Sequence, residues 1–294
     1  MKTLNQYIKE KLIINKDYQD VKMYHPKSFD ELRKIIEDRY DKLGAGTKRK
    51  PIDFNDIDVS NLDSFYNYNK YQGIFQGTQF KYIDISDWDV SNIKSMINMF
   101  YWCDELKSVG DLSNWDVSNV KSMRCMFSWC KELKSVGDIS KWNVSKVGDM
   151  TSMFDRCKYF NQDISSWDVS SVENMEAMFK YCEKFNQNIS KWDVSNVKYM
   201  ASMFQYCESF NQDISSWNVS YVINMSNMFY ACLKFNQDIS DWDVSRVTDM
   251  SFMFKLCKSF NQDLSGWNVS RVVSYTSCVF DYCPIKDEYK PKFI

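Results

Sequence analysis

Histidine is nearly missing from this sequence: His25 is the only one in 294 residues. Imidazole is the commonest general base near neutral pH, so any Ser–His or Cys–His hydrolytic site would have to recruit this one residue. It stands beside Pro26, outside the repetitive part of the chain, and reads as a loop histidine. Glycine is scarce too, with eight in all, and no phosphate-binding glycine loop appears. Charge of one sign is lacking: 37 Lys and Arg against 39 Asp and Glu leave a net charge of −2, with no basic field for nucleic acid. No apolar run approaches the roughly 18–20 residues of a membrane span. The first ten residues scatter charge through an interrupted apolar pattern, without the core of a signal peptide or a lipobox-like cysteine. A cytoplasmic chain is therefore expected.

What the sequence has in abundance is self-similarity. Residues 164–188 read Ile-Ser-x-Trp-(Asp/Asn)-Val-Ser-x-Val-x-x-Met-x-x-Met-Phe-x-x-Cys-x-x-Phe-Asn-Gln-(Asp/Asn), and the pattern recurs. Trp88, Trp115, Trp142, Trp167, Trp192, Trp217, Trp242 and Trp267 mark the register, first at 27-residue and then at 25-residue spacing. The cysteines Cys103, Cys130, Cys157, Cys182, Cys207, Cys232, Cys257 and, after a one-residue slip, Cys283 keep the same beat. A fixed period of this length means stacked repeat units rather than an ordinary domain. Eight of the ten cysteines in one column predict a row of buried thiols, not a disulfide framework.

The unit divides into two. Ile-x-x-Trp-x-Val places Trp and Val on one face of a short strand. The following Ser suits a helix N-cap, and Ser170 with Glu173 makes a capping box. Val-x-x-Met-x-x-Met-Phe-x-x-Cys then reads as one apolar face of a short helical segment, and Asn-Gln-Asp turns the chain back. The expected fold is α/β: a right-handed, leucine-rich-repeat-like solenoid with one short parallel strand and one short helical segment per coil. At about 4.8 Å per coil, eight coils stack to roughly 40 Å.

Residues 1–50 lack the repeat and are expected to form an N-terminal helical cap or arm. Leu4, Tyr7, Ile8, Leu12 and Ile13 have helical spacing; Ser28 and Glu31 form a capping box ahead of Leu32, Ile35, Ile36, Tyr40 and Leu43. Residues 51–84 read as a degenerate first coil, with Ile57, Val59, Leu62 and Phe65 in the Trp, Val, Val and Met columns. Residues 85–283 hold eight coils, the last with Tyr275 and Cys278 in the Met columns. The tail 284–294 starts at Pro284 and is charged. In the first two coils Glu-Leu-Lys-Ser-Val-Gly-Asp, from Glu105 and Glu132, replaces the usual turn, and its two extra residues should lengthen one edge.

The motif Phe-Asn-Gln-Asp-Ile-Ser-x-Trp-Asp-Val-Ser-x-Val-x-x-Met-x-x-Met-Phe resembles the repeat of the BspA-like leucine-rich-repeat surface proteins, also called the mycoplasma-type lipoprotein repeat, a domain family of unknown function. The resemblance covers residues 85–283. It implies an exported or adhesin-like protein that reaches a host or glycan ligand, and it carries no catalytic residues to transfer.

Several columns are candidates for chemistry. The Met-x-x-Met pairs beside the cysteines are soft ligands of the kind that hold Cu(I), but their spacing serves a core equally well. Asp89, Asp116, Asp168, Asp193 and Asp243, between Trp and Val, form an acidic row suited to a cation or a basic partner, or to a ladder of local hydrogen bonds. Asn161, Asn186, Asn211, Asn236 and Asn261 read as a ladder that satisfies turn backbone. Trp102, Trp129, Tyr181, Tyr206 and Tyr282 stand one before the column cysteine and Tyr230 two before it, an aromatic stripe along an edge that serves either binding or lateral packing between coils. Tyr221, Arg246 and Arg271 vary in the column after Ser. Aromatic and Arg side chains are favoured binding anchors. No cofactor, no nucleic acid and no membrane span is expected. The expected function is a non-enzymatic, protein-binding scaffold; the alternative is a surface protein.

Overall fold

The computed structural model describes residues 24–273 and 276–293. The helical spacing at Leu4–Ile13 and the Tyr275 position lie outside the described residues.

One α-helix opens the described chain: α1, Phe29–Leu43. Ser28 caps it by accepting the Glu31 N–H at 3.2 Å, while the Glu31 carboxylate accepts the Lys27 N–H at 2.8 Å. Gly44, at φ 71°, ends it in a conformation that suits glycine. Leu32 and Ile36 are fully buried in the same core as the coils, and Tyr40 meets Phe80 edge-on at 5.0 Å. Leu43, at the end of the expected stripe, is exposed.

The irregular first coil follows. Its Ile57, Val59, Leu62 and Phe65 are all buried, as their alignment with the repeat columns requires. Strand β1 (Ile52–Asp53) pairs in parallel with β4 (Ile83–Asp84), and β2 (Tyr66–Asn67) forms a small antiparallel hairpin with β3 (Gln72–Gly73).

From there the chain is a stack of coils in sequence order, but not the coil expected. No helix and no strand forms at the Trp-x-Val or Met-x-x-Met segments among the described residues. Parallel pairing is one residue wide per coil and falls just before the first Met: Ser95, Ser122, Asp149, Asn174, Tyr199, Asn224 and Asp249 bridge in succession. The reason lies in where the N–H groups go. In the coil holding Trp167, Met175, Ala177, Phe179 and Tyr181 donate to the carbonyls of Tyr199, Ala201, Met203 and Gln205 in the next coil at 2.8–3.0 Å. The intervening Met178, Lys180 and Cys182 close turns on Met175, Ala177 and Phe179 at 2.9–3.2 Å. Ala177 (φ 53°) and Tyr181 (φ 59°) take the third place of their turns in the left-handed region. That is type II geometry, which interrupts any helix and turns alternate amides along the stack. Among the described residues, all non-glycine residues with positive φ except Tyr71 fall in these two columns.

The columns then pack on themselves. Trp192 lies parallel to Trp217 with centroids 6.5 Å apart, and Phe179 stacks on Phe204 at 5.9 Å. Both methionines of every pair are buried, as is each column cysteine from Cys103 to Cys257. The 27-residue coils do carry a longer edge turn, with Gly110 and Gly137 at φ 89° and 90°; a Cβ at Gly110 would meet the Asp84 carboxylate. In the last coil Val279, not Cys278, takes the buried place of the second methionine, and Phe280 stacks on Phe254 at 5.5 Å. The tail tucks Ile285 into the end of the core.

Candidate functional site

Most sequence-selected columns prove to be internal fastenings. Each Asp or Asn after Trp accepts the backbone N–H of the Ser two residues on: Asp89 from Ser91, Asp116 from Ser118, Asp168 from Ser170, Asp193 from Ser195 and Asp243 from Ser245, at 3.0–3.1 Å. These are Asx turns. The acidic row is therefore occupied locally. The Ser118, Ser195 and Ser245 hydrogen bonds hold the Asp116, Asp193 and Asp243 carboxyls below the usual range. The Ser column does not cap helices: no helix follows, and the Ser170 hydroxyl donates to Asp168 at 2.6 Å. Nor does the Ser170–Glu173 capping box form; the Glu173 N–H goes to the Gly148 carbonyl at 2.9 Å.

The cysteines are free thiols. Cys182 donates its S–H to the Phe154 carbonyl of the preceding coil at 3.0 Å, and Cys103, Cys130, Cys157, Cys207, Cys232 and Cys257 do the same to their own Phe. Burial pushes these thiols up, that of Cys103 to about 11, so they remain protonated donors. Each repeat indole likewise donates to the preceding coil, as Trp192 Nε1 does to Ile164 at 3.1 Å. The Asn ladder is present with a division of labour. Asn161 Oδ1 accepts the Asn186 N–H at 2.8 Å, while Gln187 Nε2 reaches the Asn161 carbonyl at 3.0 Å. His25 Nδ1 pairs with Asp58 at 3.0 Å on the surface. Among the described residues no group of three or more His, Cys, Asp or Glu converges on a possible metal position, and no helix is long and apolar enough to cross a membrane.

The aromatic stripe is a continuous object. Trp102 lies 5.8 Å from Trp129, Arg156 stands 4.1 Å over Trp129 and 4.2 Å over Tyr181, Tyr181 stacks on Tyr206 at 4.5 Å, and Tyr206 meets Tyr230 at 5.2 Å. Arg156 is its keystone and was not selected from the sequence, although it occupies the same column as Trp129 and Tyr181. A search for aromatics passes over the cation sandwiched between them. Tyr282, 80% exposed, does not join; Ala231 and Leu256 hold the intervening positions of its column. Tyr221 pairs instead with Arg246, whose guanidinium lies 4.6 Å over its ring, in a separate exposed column that also holds exposed Arg271.

Beside Arg156 lies a second group that sequence reasoning missed. Asp155 shares its column with Tyr101, Ser128, Lys180, Gln205, Tyr230 and Lys255, and the one other carboxylate there is Asp281 of the last coil. The Asp155 Oδ1 is buried without a hydrogen-bond partner, and burial pushes the carboxyl up to about 6 despite Lys180 and Arg156.

The family model described as "Mycoplasma protein of unknown function, DUF285" matches the chain in four overlapping stretches, residues 48–136, 69–191, 131–235 and 182–287. No curated protein and no solved structure matches.

Proposed function

The chain belongs to this Mycoplasma family of repeat proteins, and we propose that it is a non-enzymatic, right-handed solenoid that binds a protein partner along the ribbon from Trp102 to Tyr230. The observation that carries the reading is the unbroken π–cation–π stack itself. Five of its six members, Trp102, Trp129, Arg156, Tyr181 and Tyr206, occupy left-handed backbone positions. Such a conformation costs a residue with a Cβ about 1–2 kcal/mol, and glycine is the cheaper occupant. Large side chains are kept at these positions at that cost, and Trp102 is 56% exposed. Trp, Tyr and Arg are the residues that dominate protein-interface hot spots. The rings cover one another's faces, so the ribbon offers ring edges, indole and phenol groups and one guanidinium. That surface suits close packing against protein side chains better than face-on stacking of a sugar.

The test is a cross-linked capture from native cells with the tagged full chain, run beside Arg156→Ala, Tyr206→Ala and a control at Tyr221→Ala. A partner retained by the control and weakened about 30-fold by either ribbon change supports the reading. A partner captured equally by all four proteins refutes it. Recovery with envelope components would favour the surface-protein role that the BspA-like resemblance implies, and cytoplasmic recovery an intracellular scaffold.

A further inference from the structure

The repeat is most disturbed where β2 and β3 replace the ordinary coil, and there the surface is concave. A cavity of about 580 Å³ lies between the start of α1, the 61–64 turn, the hairpin and the first regular coil. That volume falls within the range of small-ligand sites.

Its floor includes Ser95, 5% exposed, whose hydroxyl is buried and has no hydrogen-bond partner. The same column position in the two neighbouring coils is satisfied: Ser64 Oγ accepts the Tyr66 N–H at 3.0 Å, and Ser122 Oγ accepts the Arg124 N–H at 3.4 Å. The Ser95 hydroxyl lies sealed beneath the cavity surface and marks where the packing of the repeat is disturbed, rather than a point a ligand touches. Asn61 and Asn69, both exposed, also line the cavity. Tyr68, 63% exposed, stands edge-on to Tyr66 at 4.9 Å, so a phenol ring is held upright at the rim.

Charge decides the class of ligand. Lys27 and Lys94 face the cavity, but so does Asp63, 3.4 Å from Lys94. Asp30 and Glu31 already occupy the first turn of α1 and offset its positive end. The lining is thus close to neutral and rich in groups that both donate and accept. We propose that this cavity binds a neutral polyhydroxylated small molecule of mono- or disaccharide size. Ring hydroxyls would pair with Asn61 and Asn69, and the aliphatic ring face would rest on Tyr68. The site is separate from the ribbon, and its fate does not depend on the protein-binding reading.

Titration of the full chain with glucose, galactose, mannose, N-acetylglucosamine, lactose and maltose, followed by calorimetry and saturation-transfer NMR, tests this. Inorganic phosphate and citrate serve as anionic comparators. At least one neutral sugar should saturate the protein, with affinity falling about tenfold in both Tyr68→Ala and Asn69→Ala and unchanged in Tyr221→Ala. Tyr68 and Asn69 are both exposed, so neither change threatens the fold. Three results each overturn the proposal: no sugar saturates, only phosphate or citrate does, or the Tyr68 and Asn69 variants bind as the parent does.

Discussion

Replacing Asp155 by Asn should stabilise the protein at neutral pH and do nothing in acid. The carboxyl titrates at about 6 against an ordinary 3.8, because burial outweighs the attraction of Lys180 and Arg156. Between those two values the folded chain holds a proton that the unfolded chain has lost. The contribution of this group to stability therefore falls as pH rises through that window, and above it the folded state bears the whole cost of the charge. A difference of about 2 in pKa corresponds to about 3 kcal/mol. The attraction of Lys180 and Arg156 is already contained in that net shift, and the amide is nearly isosteric and uncharged, so about 3 kcal/mol of gain is expected for Asp155→Asn near pH 7.5. The gain should shrink towards zero by about pH 4, where the aspartic acid is itself neutral. Urea unfolding of both proteins followed by tryptophan fluorescence across this range reads the effect directly. A variant less stable than the parent at neutral pH, or a gain independent of pH, would show that the carboxylate is paired rather than stranded.

Three other outcomes follow from the same geometry. Ala177→Gly, at φ 53°, should stabilise by about 0.5–1 kcal/mol, whereas Ala201→Gly, which is buried and not left-handed, should destabilise by about 1 kcal/mol; thermal unfolding of the pair checks this. A thiol-reactive dye at mild alkaline pH should spare the seven column thiols from Cys103 to Cys257 in the native protein and find them only after urea; fast labelling of all ten cysteines would contradict the buried ladder. Arg33→Ala should cost about 1–3 kcal/mol in chemical denaturation, because its guanidinium serves the Ile74 and Gln76 carbonyls at 2.9 and 3.2 Å; an unchanged midpoint would mean that water replaces it without loss.

Period, core and fastening columns were legible because a repeat multiplies weak signals. One Trp, Cys or Asn means little, but the same residue at the same step in coil after coil marks a place whose surroundings are the same each time. The path of the backbone was not legible. Val-x-x-Met-x-x-Met-Phe-x-x-Cys looks helical because apolar residues fall three and four apart, yet consecutive turns of the type seen at Met175–Met178 and Phe179–Cys182 bury the same positions. The distinguishing feature is the left-handed third residue of each turn, and its usual markers, Gly or Asn, are mostly absent: Ala177, Tyr181, Ser202 and Tyr206 stand there instead. Local propensity was overruled by hydrogen bonds to the neighbouring coil. The ribbon was half legible, since its aromatics share a column, but Arg156 acquires meaning only once Trp129 and Tyr181 are seen on its two faces. Asp155 was invisible because burial of an edge position cannot be read from one sequence.

The direction of those inter-coil bonds explains why the two ends of the stack are built differently. In the four peptide units that join Asn174 to Met175, Glu176 to Ala177, Met178 to Phe179 and Lys180 to Tyr181, and in their counterparts in the same columns along the stack, the N–H points towards the C-terminal end and the carbonyl towards the N-terminal end. Aligned peptide units of this kind add their dipoles as a helix does, leaving acceptors bare at one end and donors at the other. At the first coil the bare acceptors in two of these columns are Ile74 and Gln76, which stand where Met178 and Lys180 stand later, and one Arg33 guanidinium takes both. Glu37 holds that guanidinium from the next turn of α1 at 2.7 Å. A basic residue on a helix is thus the chemical complement of the carbonyl end, which explains why a capping helix belongs at the N-terminal side and carries arginine there. At the other end Phe280 and Tyr282 occupy the donor columns, and their N–H groups have no partner among the described residues. There the tail covers the apolar core with Ile285 and leaves these edge donors free, because closing a core needs only apolar surface while closing this ladder would need acceptors.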